Sequence, residues 1–467
     1  MLQRLEKTNR TGQSPSKKGR RPGAEDFHAT FKIAWPLSLS YLGQMAIGIT
    51  DVIMIGRLGP NQIAAGSLAI AVYLIVFLFA LGIVLPATPL ASQARGAKQP
   101  RQMRRVIRQG LWVAVTMAIP GYFVLWHIDD ILLLLRQSPD LVALSAPYMH
   151  FFMWSLLPAI AYVALRCFLI TLGHPTAAML IMWGAVAVNI VLDYGLIFGN
   201  FGLPEMGMRG AGVASTIVNI LMLLAMIAVT AFRKPFRRYR IFARIWRPDW
   251  QTYRNFFAMG WPISLQLLME EGLFSAATML MGLLGPREVA AHAIALNLTS
   301  ISFMGSIGLA DAAVARVGYA FGAKDGNGIH RAAYAALVLS LCIMVTSAII
   351  FLAIPDRLAA VFIDPGTANA PQVILLAVSL ITVAAVFQIF DGLQLVMSGI
   401  LHGMSDMKVP TLIAVVTYWV FGMSVAVLFG FVFEWGAVGI WWGLATGLVL
   451  TALAFSLRFR YLTRNRI

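Results

Sequence analysis

Twelve stretches of this chain are each long and apolar enough to cross a lipid bilayer as a helix, and their count and spacing constrain the fold more than any other feature. Crossing takes about 20 residues of helix. Within lipid every backbone polar group must find its partner inside the same element, so such segments fold as helices. The spans fall at roughly 31–56, 62–90, 107–127, 143–172, 176–199 and 210–232, then at 255–283, 288–315, 331–354, 372–402, 408–430 and 437–457. Several exceed the length of a perpendicular crossing, which implies tilt or extension beyond the hydrocarbon. The stretch from Asp129 to Asp140 is too short to cross and is expected to be an interfacial loop. Only 12% of the residues are charged, about half the fraction of a soluble domain. That excludes a soluble globular surface.

Basic residues gather in alternate loops. Arg4, Lys7, Arg10, Lys17, Lys18, Arg20 and Arg21 precede the first span, and Arg95, Lys98, Arg101, Arg104, Arg105 and Arg108 follow the second. A third group, from Arg233 to Arg247, follows the sixth span, and Arg458, Arg460, Arg464 and Arg466 end the chain. The intervening loops hold few basic residues, so both termini are expected on the cytoplasmic side. That fits a multi-pass protein of a plasma membrane, such as a bacterial inner membrane. The first thirty residues hold no apolar stretch for a signal peptidase. Lacking interleaved aromatics, the basic tail reads as an anchor beside anionic lipids, with no nucleic-acid partner. Cys167 and Cys342 lie in apolar runs, without a disulfide framework, redox pair or zinc pattern.

An internal repeat organises the spans. Trp35-Pro36 recurs as Trp261-Pro262, 226 residues later, and Leu58-Gly59-Pro60 recurs as Leu284-Gly285-Pro286. Gly96-Ala97-Lys98 returns as Gly322-Ala323-Lys324, and Gly210-Ala211 as Gly436-Ala437, all without a gap. Six spans per half is an even number, so both halves enter the membrane in the same sense. The expected fold is an all-α polytopic membrane protein with twelve transmembrane helices in two six-helix lobes related by a parallel repeat. Its parts would be a basic cytoplasmic tail over 1–30, an N-lobe over 31–232, a cytoplasmic linker over 233–254, a C-lobe over 255–457 and a second basic tail over 458–467.

Acids inside spans carry the chemistry. A carboxylate at the bilayer centre costs about 2.5–3.5 kcal/mol, and Asp193, Glu270, Glu271 and Asp391 lie well within spans, with Asp51 nearer one end. They must face a wet cavity, bind a cation or stay protonated. Glu270 stands eight residues after Pro262, about 12 Å along its helix, and Glu271 is rotated from it by roughly 100°. Asp391 follows the apolar Phe387-Gln388-Ile389-Phe390 run, with Gln394 and Ser398 continuing its face. Carboxylates on two helices of one half suit reversible binding of H⁺ or Na⁺. In the first half Gln44 and Asp51 are a heptad apart, and Asn189 and Asp193 are four apart, which predicts a second polar pocket. The repeat sets Glu270 against Gln44 and Asp51 against Ala277, so the two halves are expected to differ in task. His292 and Asn297 fall in the eighth span, where a lone histidine reads first as a helix-packing hydrogen bonder.

The chain resembles the multidrug and toxic compound extrusion (MATE) transporters, in their NorM-like branch. The resemblance rests on Trp35-Pro36, the Thr50 to Gly59 stretch around Asp51, Ala290 to Asn297, Ala315-Arg316-Val317-Gly318, and Asp391-Gly392-Leu393-Gln394 followed by Gly399 and Gly403. It implies a two-lobed antiporter that exports lipophilic, often cationic compounds in exchange for H⁺ or Na⁺. No cofactor is implied, and the chain is expected to work as a monomer among membrane lipids. The family's C-lobe cation site would fall on Glu270 and Asp391, any Na⁺ binding there, and its N-lobe carboxylate on Asp51. Asp193 after Asn189, and Phe387 one turn before Asp391, depart from the patterns of some relatives. A flippase for a lipid-linked precursor is the alternative reading. A membrane enzyme is disfavoured because no His/Asp or DxD cluster stands at a membrane boundary.

Overall fold

The computed structural model describes residues 21–362 and 370–465; most of the basic tail expected over 1–30 lies outside them. Twelve helices are long and apolar enough to cross a membrane. They are α1 Ala24–Gly56, α2 Pro60–Gly96, α3 Pro100–Trp126, α4 Pro139–Leu172, α5 Thr176–Phe198 and α6 Met208–Phe232 in the first lobe. The second lobe holds α7 Trp250–Leu284, α8 Pro286–Gly322, α9 Gly326–Ala353, α10 Ala370–Gly403, α11 Lys408–Val432 and α12 Gly436–Arg464.

Most helices outrun their apolar cores. α7 begins inside the segment expected as linker, because the Asp249 carboxylate accepts from the Thr252 amide and caps the helix there. α2 continues to Gly96 but breaks after Val84, where Pro86 and Pro89 remove backbone donors. The stretch expected as a loop after Asp129 is in part a short helix, Ile128–Leu134, whose Ile128 and Leu132 are buried. Apolar residues four apart give it a packing face that no loop would use.

Each lobe has its own apolar core, one drawn from Ile55 through Phe256, the other mainly from Leu273 through Leu462. Between them the repeat appears as paired contacts. Ser38 Oγ of α1 donates to the Gly305 carbonyl of α8 at 3.1 Å, and Ser264 Oγ of α7 donates to the Phe79 carbonyl of α2 at 2.6 Å. Both partners are displaced by the same 226 residues. A Cβ at Gly82 would overlap the Ser264 backbone, and one at Gly308 would overlap Ser38. Glycine is therefore the residue that lets each helix pair approach this closely.

Further bonds join the lobes at the same level or nearer the N-terminal face. Tyr41 donates its hydroxyl to Asp311 Oδ2 at 2.8 Å, and Arg166 Nη2 donates to that hydroxyl at 2.9 Å while lying 4.8 Å from the ring centroid. Gln93 Nε2 reaches the Gly403 carbonyl at 2.8 Å, and Arg316 pairs with Asp26 at 2.8 Å. Among the described residues no hydrogen bond crosses between lobes at the depth of Glu270 or beyond it, toward the other face. The lobes are clasped at one side only.

Candidate functional site

In the second lobe α7 and α10 bring Glu270 and Asp391 to one amide. Gln394 Nε2 donates to Glu270 Oε1 at 3.2 Å and lies 3.4 Å from Asp391 Oδ1. The amide is oriented from behind, since the Tyr418 hydroxyl donates to Gln394 Oε1 at 2.9 Å. The reverse amide orientation would set its oxygen against two carboxylates. Tyr418 comes from α11, which widens into a π-helix over Val416–Gly422. Such insertions displace side chains from the regular α register and recur at functional sites. The next residue, Trp419, ties α11 to α7 through Nε1 and the Met269 carbonyl at 3.2 Å. One turn nearer the clasp, Gln266 Nε2 donates to Ser398 Oγ at 3.0 Å. The buried Phe387 ring stands edge-on to Phe274 and Trp441, at 6.2 and 5.3 Å between centroids, and closes the apolar side.

Glu270 Oε2 and Asp391 Oδ2 receive no protein donor, and neither is among the sealed, partnerless polar atoms of the described residues. One oxygen of each acid is therefore open for a proton, a water or a cation.

The first lobe builds a different group. Asp51 of α1 accepts from Asn189 Nδ2 of α5 and from Ser215 Oγ of α6, both at 3.1 Å. Asp193 faces Asp51, and both Asp193 oxygens are sealed without a donor, as is Asn189 Oδ1. Three buried acceptors thus lack partners. A proton shared with Asp51 would satisfy one Asp193 oxygen, whereas a cation would answer all three acceptors.

The other sequence candidates stand apart. Gln44 is exposed and has no hydrogen-bond partner among the described residues. Glu271 is half-buried and likewise outside the Gln394 network. His292 is buried and bonded at both ring nitrogens: Trp441 Nε1 donates to Nδ1 at 3.1 Å, and Nε2 lies 3.1 Å from Thr278 Oγ1. Accepting at Nδ1 leaves the proton on Nε2, a neutral ring in a helix contact. Asn297 is exposed and donates to the Ala293 carbonyl of its own helix at 2.8 Å. Ser215 and Tyr418, which complete the two groups, escaped sequence reasoning. A lone hydroxyl in an apolar span has no spacing that singles it out.

No lysine or arginine pairs with an acid of either group; the ion pairs of the described residues all lie elsewhere. Acids buried without a basic partner can hold a monovalent cation or a proton and release it again.

Comparison with known proteins identifies the family. The probable multidrug resistance protein NorM of Mesorhizobium japonicum is 41% identical over 445 residues, 95% of each chain. A protein of the same name from Bradyrhizobium diazoefficiens is 40% identical over 444 residues, again 95% of each. A mutant of the Vibrio cholerae MATE transporter VcmN shares the fold at a TM-score of 0.84 and 18% identity, over 95% of this chain and 98% of that one. The eukaryotic MATE transporter AtDTX14 gives 0.82 and 21%, over 93% and 96%. The MatE family model matches twice, over residues 36–195 and 262–428, one match in each lobe. The chain is a multi-pass membrane protein and belongs to the MatE family.

Proposed function

We propose that this chain is a secondary active antiporter that exports lipophilic, often cationic, compounds in exchange for H⁺ or Na⁺. Its family is one of transporters and not of enzymes. The names of its relatives support multidrug efflux as the task. The observation that carries the coupling is the Glu270–Gln394–Asp391 group: two acids from separate helices, joined through one amide, each with an open oxygen and no basic partner.

The alternate distribution of basic residues supports cytoplasmic termini. With that orientation, a clasp on the N-terminal face corresponds to a state closed to the cytoplasm. A cation entering from outside reaches Glu270 and Asp391 and offsets their mutual repulsion. Exchange requires the cation to bind one lobe arrangement more tightly than the other. Opening toward the cytoplasm separates Ser38 from Gly305, Ser264 from Phe79 and Tyr41 from Asp311. A substrate from inside then displaces the cation, and the lobes return. Asp51, with Asn189 and Asp193, is a second place where a cation or proton can be held.

A flippase for a lipid-linked precursor would need a basic cavity, whereas Glu270, Asp391, Asp51 and Asp193 are acids with no basic partner among the described residues. The test is dye efflux from proteoliposomes with pH and Na⁺ gradients imposed independently. Loss of gradient-driven efflux is expected in Glu270→Gln and Asp391→Asn. Unchanged efflux in both would remove these carboxylates from the mechanism.

A further inference from the structure

On the N-terminal face the start of α3 and the segment between α6 and α7 enclose a cleft of about 840 Å³. Helix α3 supplies Arg101, Arg104, Arg105 and Arg108, one or two turns apart on adjoining faces, and the segment supplies Arg240, Arg244 and Arg247. Against these seven guanidinium groups stands one lining carboxylate, Asp249, 3.5 Å from Arg105.

Arg108 is already occupied. Its Nε donates to the Ile241 carbonyl at 2.6 Å and its Nη2 to the Arg240 carbonyl at 3.1 Å. Trp112 Nε1 adds a bond to the Ile245 carbonyl at 2.8 Å, so the segment is strapped onto α3 by its backbone. The strap is tightly wound, with Arg240 and Arg244 both at positive φ, 45° and 61°. Non-glycine residues enter that region only at an energetic cost. The guanidinium groups of Arg101, Arg104, Arg240, Arg244 and Arg247 have no carboxylate or hydrogen-bond partner among the described residues. Bonds that hold the strap thus crowd unpaired like charges around a cavity large enough for a ligand.

We infer that this cleft is a binding site for a phosphate-bearing anion. Planar guanidinium forks match phosphate oxygens two at a time, and the anion would remove the repulsion that the strap creates. The position favours an anionic phospholipid headgroup as the source. The cleft lies where α3 and α7 begin and just beyond the end of α6, with the exposed indoles of Trp246 and Trp250 beside it. Indoles gather at headgroup level, and basic pockets at span ends accept acidic headgroups. A soluble phosphate or diphosphate shares that chemistry.

The experiment uses the full chain reconstituted in phosphatidylcholine, alone or mixed with phosphatidylglycerol or cardiolipin. Retained lipid is read by native mass spectrometry, and a second arm titrates inorganic pyrophosphate in lipid-free detergent. The triple variant Arg240→Gln/Arg244→Gln/Arg247→Gln is compared with Lys408→Gln/Arg460→Gln/Arg464→Gln, which removes equal charge on the same face of the other lobe. Retained anionic lipid should fall at least about fivefold in the first triple, the loss expected when even one basic residue in contact with an acidic headgroup is removed, and stay unchanged in the second, whose residues do not line the cleft. Pyrophosphate binding that the first triple abolishes would support the site with a soluble anion as its ligand. Equal lipid retention and equal pyrophosphate response in the parent and both triples would overturn the inference. The single variants Arg104→Gln and Arg247→Gln repeat the measurement if the first triple does not fold.

Discussion

The two lobes share a fold and a clasp, yet their acids are held in opposite ways. In the second lobe one amide serves both carboxylates, a phenol fixes that amide, and each acid keeps an open oxygen. In the first lobe Asp51 takes two donors, while Asp193 and Asn189 Oδ1 are sealed with none. The symmetric parts are Ser38 with Gly305 and Ser264 with Phe79, the contacts that must close and open together. Symmetry thus persists where the halves must move as one. It is lost where they bind.

The comparison breaks most readily at Gln394. Gln394→Leu strips both acids of their common donor and removes the oxygen to which the Tyr418 hydroxyl donates. Gradient-driven dye efflux is expected to fall by at least about tenfold, the factor that corresponds to one lost charge-assisted hydrogen bond. An efflux rate within twofold of the parent would show that the amide is a packing residue. Nothing comparable is expected from the first lobe, where Asn189 Nδ2 makes a hydrogen bond to Asp51 and none to Asp193.

Asp193→Asn sharpens the contrast from the other side. The new amide supplies a donor to a group that has three sealed acceptors without one, and it removes one of two facing carboxylates. Stability should rise by roughly 1–3 kcal/mol, the range for satisfying a buried polar group, read as a higher thermal midpoint in detergent. Asp391→Asn should give no such gain, because its open oxygen already has access to water. Equal gains in the two variants would erase the distinction between a sealed and an open group.

Next in size is Tyr418→Phe. The amide keeps its two acids but loses the bond that orients it, a net change of about 0.5–1.5 kcal/mol. Efflux should drop only a few-fold, well short of Gln394→Leu. A loss as large as that of Gln394→Leu would make the phenol a direct participant.

How much of this was legible in the sequence follows from the kind of signal each part leaves. Spans declare themselves by apolar length, and the 226-residue register declares the two lobes. Acids in lipid are costly enough to stand out singly, so Glu270, Asp391, Asp51 and Asp193 could be named from the sequence. Apolar length does not mark a helix start where polar residues extend the helix past the hydrocarbon, as at Asp249 and Trp250. Ser215, Tyr418 and Tyr41 were not legible, because their hydroxyls act across helices and hydroxyls in spans usually bond their own backbone, as Thr417 and Thr451 do.

The heptad between Gln44 and Asp51 shows the limit of spacing as an argument. It places both on one side of α1, but seven residues also separate them by about 10 Å along the axis, and only Asp51 reaches α5 and α6. Gln44 remains exposed and unpartnered, although the repeat makes it the counterpart of Glu270. Gln44→Ala is therefore expected to change stability by no more than about 0.5 kcal/mol, as for exposed positions generally, and to leave efflux within about twofold. A collapse of efflux in Gln44→Ala comparable to that in Asp391→Asn would mean that the counterpart positions still act together, and the division of labour between the lobes would have to be abandoned.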